Sequence, residues 1–205
     1  MDLKETTLAQ FTDLLGSKAA APGGGGASAL AGALGAALGA MVGSLTLGKK
    51  KYAAVEAEMQ ELTQRAQALS QRLLDLVQKD AVAFEPLSRA YAIPKDNPTR
   101  ADVMEGCLRR AAHVPLNIMR CCCEAIELQE EFAQKGSVLA VSDAATGAAL
   151  CLGALQGAAV NVKVNTALMT QRNYADEVNR EVDQRLADYG ARAAAIFNDI
   201  YGRYC

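Results

Sequence analysis

The chain reads as an all-α protein, an up-and-down bundle of long helices forming one domain over residues 1–205. Three observations predict this. Apolar residues recur every three or four positions along most of the 205 residues, and no alternating strand pattern competes. The apolar stock is Ala, Leu and Gly, with only four Phe and no Trp, which suits helices packed at close range. The breakers are few and clustered, as in "AIPKDNPT", so long stretches run uninterrupted.

The elements follow in order. "TLAQFTDLLGSK" is a short amphipathic helix stopped near Gly16. Ala27 to Leu47 is a second helix of small residues. Lys51 to about Tyr91 is a long third helix, rich in Glu, Gln, Arg and Leu, all good helix formers. Two prolines break the chain after it. Thr99 or Asp102 caps a fourth helix, in which Pro115 implies a kink or break and which Gly136 ends. Ser142 caps a fifth, again of small residues, and a polar sixth runs from about Tyr174 to Tyr201.

Composition excludes several classes. A formal net charge of −2 gives no general pull toward nucleic acid. The N-terminal "MDLKETTLAQF" lacks a basic region followed by an apolar run, so no signal peptide is expected. Six cysteines occur without any CxxC, three of them adjacent at Cys121, Cys122 and Cys123. Such a run cannot staple one fold, and reduced thiols in the cytoplasm are the expectation. With one histidine, no metal site is expected.

Three segments could carry chemistry. The first is "APGGGGASALAGALGAALGAMVGSLTLGKKKY", from Ala21 to Tyr52. Gly35, Gly39 and Gly43 lie four apart and share a helix face. Each costs up to about 1 kcal/mol against Ala in a helix, so a neighbour approaching closely must offset it. A stretch of about 20 apolar residues can also span a bilayer. Much of this one is Ala and Gly, which drive insertion weakly, so no membrane partner is expected. No strand precedes the glycines, so this is no P-loop. Gly23, Gly24 and Gly25 still offer free N–H groups at a helix start, which suit an anion. A plain turn into a core helix is an equal reading. "GKKKY" closes the stretch, as a solvated cationic turn or as a grip on carboxylates.

The second is a stripe on the third helix: Leu62, Ala66, Leu69, Leu73, Leu76, Asp80, Phe84, Leu87 and Tyr91. A carboxylate in an apolar seam is costly unless paired. Burial would raise its pKa, and Pro86 disturbs the helix shortly after it. Asp80 is therefore either a general base or a structural acid paired to a cation on a neighbouring helix. The third is "VSDAATGAALCLGALQGAAVNVKVNT", where Asp143, Asn161 and Asn165 can lie near one face. Two asparagines four apart could read a polar ligand. Asp143 is more simply an acid favoured at a helix N-terminus. His113 reads as a packed or capping residue.

Together these pieces resemble the cyclodeaminase/cyclohydrolase family, which includes the C-terminal domain of formiminotransferase-cyclodeaminase and free-standing methenyltetrahydrofolate cyclohydrolases. The glycine stretch, "KDAVAFEPLSRAYAIPKD", "AAHVPL" and "SDAATGAAL…GAAVNVKVN" carry the likeness in order over nearly the whole chain. The resemblance implies an all-helical homodimer with a tetrahydrofolate derivative bound as substrate near the subunit interface, and no separate cofactor. It implies that Asp80 is the catalytic acid/base and that the glycine loop, Lys50, Tyr52, Asp143, Asn161 and Asn165 belong to the pocket. Two reactions fit: hydrolysis of 5,10-methenyltetrahydrofolate to 10-formyltetrahydrofolate, and closure of 5-formiminotetrahydrofolate with loss of ammonia. The absence of a formiminotransferase domain favours the first. Two departures stand out. Gly26 occupies a position where the family commonly has serine, and "GSVLAVSD" replaces an asparagine-bearing segment. They leave a non-catalytic folate-binding helical dimer as the competing class.

Overall fold

The structure is a computed structural model and describes residues 2–205. Six α-helices carry it: α1 (Leu8–Leu15), α2 (Gly24–Thr46), α3 (Glu56–Ala90), α4 (Arg100–Lys135), α5 (Val141–Ala167) and α6 (Arg172–Gly202). Among the described residues there is no strand. Short connections force successive long helices to run in opposite directions. Helix α2 packs on α3 and α5, and less on α4. Helix α4 also packs on α3 and α5, which closes a four-helix core, and α6 lies across α5 and α4.

Local chemistry sets the boundaries. Thr7 and Gln10 form a capping box at α1. Helix α2 starts at Gly24, three residues before the position expected from the sequence, because glycine has no side chain to keep it out of the tight space there. Gly48, at φ 74°, turns the chain after α2, and its N–H donates to Glu56 Oε1 at 3.0 Å. Lys50–Val55 form a 3-10 turn, so the third helix starts at Glu56 rather than Lys51. Both prolines sit inside unbroken helices: Pro86 in α3 and Pro115 in α4. Of the kink or break expected at Pro115, the break is absent, and α4 runs through it from Arg100 to Lys135, packed on α3 and α5. Thr99 is the N-cap of α4, and its hydroxyl donates to Asn97 Oδ1. Ser142 does not cap α5. Ala140 is its N-cap, and Ser142 lies exposed in the first turn.

The glycine face of α2 meets three neighbours in turn. A spacing of four residues advances about 40° round a helix per step, so the row winds as it climbs. A Cβ on Gly35 would strike Cys151 and the Gly147 carbonyl of α5. One on Gly39 would lie 2.8 Å from Gln129 Nε2 and 2.9 Å from the Phe132 ring, both on α4. One on Gly43 would strike Thr63 of α3. Gln129 and Phe132 are fully buried, and Gln129 donates to the Gly35 carbonyl at 2.7 Å. The helix cost of these glycines is thus offset by backbone-to-side-chain contact that no larger residue permits. Cys107, Cys121, Cys122, Cys123 and Cys151 are buried and unbridged, acting as small apolar fillers.

Helices α2 and α5 are each long and apolar enough to cross a bilayer by length and composition alone. Here they pair at the centre of the bundle, with about half of each apolar window buried (56% and 50%).

The winding row makes a paired prediction. Gly39→Ala must push Gln129 or Phe132 aside and should lose about 1–3 kcal/mol. A Cβ on Gly26 meets nothing closer than 3.4 Å, so Gly26→Ala should be neutral or gain about 0.5–1 kcal/mol of helix propensity. Urea midpoints of the two variants against the parent check both. Equal midpoints for the pair would refute the close-approach account.

Candidate active site

Unequal helix lengths create a cavity at one end of the core. Helix α2 begins level with Asp80, because a Cβ on Gly25 would fall on the Asp80 carboxylate. Helix α3 continues from there to Ala90, about 15 Å further at 1.5 Å per residue. The space that α2 would have filled is a pocket of about 290 Å³, at the small end of ligand sites. Gly23, Gly24 and Gly25 form its roof with Ala20 and Ala21. Asp80, Ala81, Phe84, Leu87 and Tyr91 of α3 form one wall, Ala111 and Pro115 of α4 a second. Asn161, Val164, Asn165 and Leu168 close it from the α5 side.

The apolar stripe of α3 explains the placement. Leu62, Ala66, Leu69, Leu73 and Leu76 are buried in the core, then the same face opens into the cavity at Asp80. Asp80 has no cationic partner among the described residues. Burial pushes its carboxyl above the usual value, and the Gly26 N–H at the start of α2 partly opposes that. The reading of Asp80 as an acid paired to a neighbouring Arg or Lys is not what the structure contains.

The two asparagines hang over the same space. Asn161 Nδ2 donates to the Gly157 carbonyl at 2.8 Å, and Asn165 Nδ2 donates to the Asn161 carbonyl at 2.7 Å. Neither Oδ1 has a protein donor among the described residues, so both remain available as acceptors. Gly24 packs on Asn161, since a Cβ there would sit 2.9 Å from Nδ2. Pro115, on the same wall as Ala111, has no N–H to give the Ala111 carbonyl.

Sequence reasoning therefore placed Asp80, Gly23, Gly24, Gly25, Asn161 and Asn165 in one site, and the chain brings all six together. It does not bring Lys50, Tyr52 or Asp143 there. Helix α2 separates Gly24 from the turn that carries Lys50 by roughly 33 Å. Asp143 and Asn161 share α5 but stand about 27 Å apart along it. The three residues gather at the opposite end of the bundle. There the Val138 N–H donates to Tyr52 Oη at 3.0 Å, which lowers the phenol pKa, and Lys49 Nζ reaches Ser137 Oγ at 3.2 Å. Lys50 is exposed, and Asp143 lies in the first turn of α5. His113 is exposed, bonds Asn117 and lies outside the pocket.

Several site residues had no chemical signal in the sequence. Phe84 and Tyr91 were visible only as stripe positions, and Ala111 only as an unremarked small residue. Glu105 was missed entirely. It is 6% exposed and accepts from the Thr170 N–H at 2.7 Å and the Thr170 hydroxyl at 2.8 Å. Burial pushes its carboxyl up, but these donors outweigh that and hold it below the usual range. Glu105 thereby pins the turn after α5, which carries Leu168 at the pocket edge. Among the described residues no cluster of three His, Cys, Asp or Glu side chains is assembled.

Fold and pocket together define a class: a helical-bundle protein with one half-buried, unpaired carboxylate in a small pocket, roofed by a glycine helix start. The chain belongs to the formiminotransferase-cyclodeaminase family, whose sequence model matches residues 7–184. It is 38% identical over 198 residues to the methenyltetrahydrofolate cyclohydrolase of Methylorubrum extorquens, covering 95% of each chain. It is 31% identical over 206 residues to the mouse formimidoyltransferase-cyclodeaminase. That match takes in 98% of this chain and 38% of the longer relative. Its fold is that of the formiminotetrahydrofolate cyclodeaminase of Thermotoga maritima, at a TM-score of 0.85 and 27% identity over 97% of this chain and 99% of that one.

The unpaired acid makes a stability prediction. Asp80 binds its proton more tightly folded than unfolded, so the folded state loses stability as pH rises through the unfolded carboxyl value toward the folded one. Asp80→Asn should therefore be more stable than the parent at pH 7, with the gap closing in acid. Denaturant titrations at neutral and acid pH read this directly. A variant less stable at pH 7 would mean that the charged form is held by partners.

Proposed function

We propose that the chain is a folate one-carbon enzyme that hydrolyses 5,10-methenyltetrahydrofolate to 10-formyltetrahydrofolate. The observation that carries this is the unpaired Asp80 carboxylate in a pocket open to a ligand, in a chain that matches a methenyltetrahydrofolate cyclohydrolase over 95% of each. In the proposed reaction Asp80 takes a proton from water as its oxygen adds to the methenyl carbon. The tetrahedral adduct then collapses to the formyl group, the bond to N5 breaks, and N5 is protonated. One proton is released overall. The raised carboxyl pKa brings Asp80 closer to the working pH, which favours transfer in both directions. Asn161 and Asn165 are proposed to hold the pterin, and the apolar walls to orient it.

The second reading is ring closure of 5-formiminotetrahydrofolate with loss of ammonia. The likeness to the Thermotoga maritima cyclodeaminase favours it. The same acid would then move a proton between N10 and the departing amine.

A homodimer belongs to the same proposal. Leu34, Met41 and Leu45 of α2, Val160 and Val164 of α5, and Leu168 just after it are exposed, and Leu139 is 87% exposed at the far end. An antiparallel two-fold pairing of these faces would set the far end of one chain over the pocket of the other. Lys50, Tyr52 and Asp143 of the partner subunit would then complete the site, with a lysine facing the folate carboxylates. The apolar faces are proposed to meet a second copy rather than lipid or nucleic acid. All six cysteines are free, which supports a reducing compartment such as the cytoplasm.

Two experiments test this. Loss of methenyltetrahydrofolate absorbance, corrected for its unaided hydrolysis, should be accelerated by the parent and fall about 10²–10⁴-fold in Asp80→Asn. Parent-level turnover in that variant would remove Asp80 as the base, and turnover only of formiminotetrahydrofolate would select the second reading. Separately, Asp80→Asn and Lys50→Ala should each be impaired alone. Mixed and allowed to exchange subunits, they should recover about a quarter of parent activity, since half the dimers would hold one intact site. No recovery in a mixture shown to exchange would place Lys50 outside the site.

A further inference from the structure

The folate reading names a substrate but leaves open what the pocket selects. Asp80 is the one charged residue among those lining it, and no Lys, Arg or His lines it among the described residues. Its side-chain amides, on Asn161 and Asn165, offer acceptors, and the glycines at the start of α2 offer backbone N–H groups. Asn161 and Asn165 spend an N–H on their own helix and keep Oδ1 free. The start of α2 would favour an anion, but the Gly26 N–H faces the Asp80 carboxylate, which fills that role itself. A folate carboxylate entering here would meet a like charge in Asp80 with no cation to offset it among the lining residues. A flat cation would find a counter-ion, acceptors for its N–H groups, and the rings of Phe84 and Tyr91 beside it.

We infer that the pocket is a charge-selective slot for planar amidinium cations, with Asp80 as the selecting counter-ion. For its natural ligand the inference rests on the folate reading; for its charge preference it does not. The chemistry of both proposed substrates fits. The methenyl carbon of 5,10-methenyltetrahydrofolate lies between two nitrogens that share one positive charge. The protonated formimino group of 5-formiminotetrahydrofolate is an amidinium as well. One slot therefore serves either reaction at the same atom. Hydrolysis turns the cation into a neutral formamide and weakens the hold on the product. Loss of ammonia leaves the methenyl cation in place, so that product stays bound more tightly.

Benzamidinium and benzamide test the slot without any folate, since they are close in shape and differ in charge. Binding to the parent and to Asp80→Asn is measured by calorimetry at pH 7, with circular dichroism to confirm that the variant is folded. The parent should bind benzamidinium at least about ten-fold more tightly than benzamide, and the variant should bind both alike. Equal binding of the two by the parent, no benzamidinium binding at millimolar concentration, or a preference that survives in a folded variant would each overturn the inference. Folate turnover on the same preparations separates the two proposals. Selectivity without turnover keeps the slot and sinks the folate reading, and turnover without selectivity does the reverse.

Discussion

The missing Cβ at Gly25 is the constraint on which the site depends. Where any other residue would place a carbon, the structure places the carboxylate of Asp80. The start of α2 can therefore close directly onto α3, and the acid is roofed by backbone instead of side chains. Burial without a cation then raises its pKa, and the single backbone donor at Gly26 limits that rise. A glycine at the first turn of a helix costs little, since the chain there is half out of the helix already. An unpaired buried acid costs more. The core carries that cost, and local sacrifice of stability of this kind is common where a group must react.

That core is unusual in its stock. Ala is its commonest residue, followed by Leu, with Val, Ile, Met, Cys and Gly filling the rest, and Phe132 is the one fully buried aromatic among the described residues. Small side chains let α2 come close to α3, α4 and α5, and the winding glycine row meets each in turn. Close packing fixes the height of α2 relative to α3. That height decides how much of α3 projects beyond Gly24, and so how large the pocket is. A change at Gly39, about 20 Å along the helix from the site, thus acts on the site by moving its roof.

Much of this was legible in the sequence, for physical reasons. Helices announce themselves by period, and an acid on an apolar stripe is visible before any coordinates exist. Asp80 and the pair Asn161 and Asn165 stood out in that way, and all three line one cavity. The glycine face was legible because only close approach offsets its cost. What the sequence does not show is distance. The resemblance groups Lys50, Tyr52 and Asp143 with Gly23 and Asn161, and within one chain the rise per residue along α2 and α5 keeps the two groups roughly 27–33 Å apart. Glu105 and Ala111 could not be found in this way, since their roles come from contacts between helices that no local pattern encodes.

The division of the predicted residues between two ends bears on assembly. Helices α2 and α5 are apolar nearly all round, and a helix of that kind is normally buried on every side. In one chain about half of each apolar window is covered. The uncovered part runs from Val164 and Leu168 at the pocket mouth, across α2, to Met41 and Leu45 near the lysine turn. A parallel partner would bring like ends together, leaving each mouth beside another mouth and each lysine turn beside another. An antiparallel two-fold partner covers the same apolar strip and exchanges the ends. In the proposed dimer the lysines would stand where the folate carboxylates leave a slot whose one charged residue, Asp80, repels them. Charge would thus favour the proposed arrangement in which Asp80 of one chain faces the cation and the other chain holds the tail. The separation that a single chain shows would then be a requirement of the ligand, whose charges of opposite sign need hosts at a distance from one another.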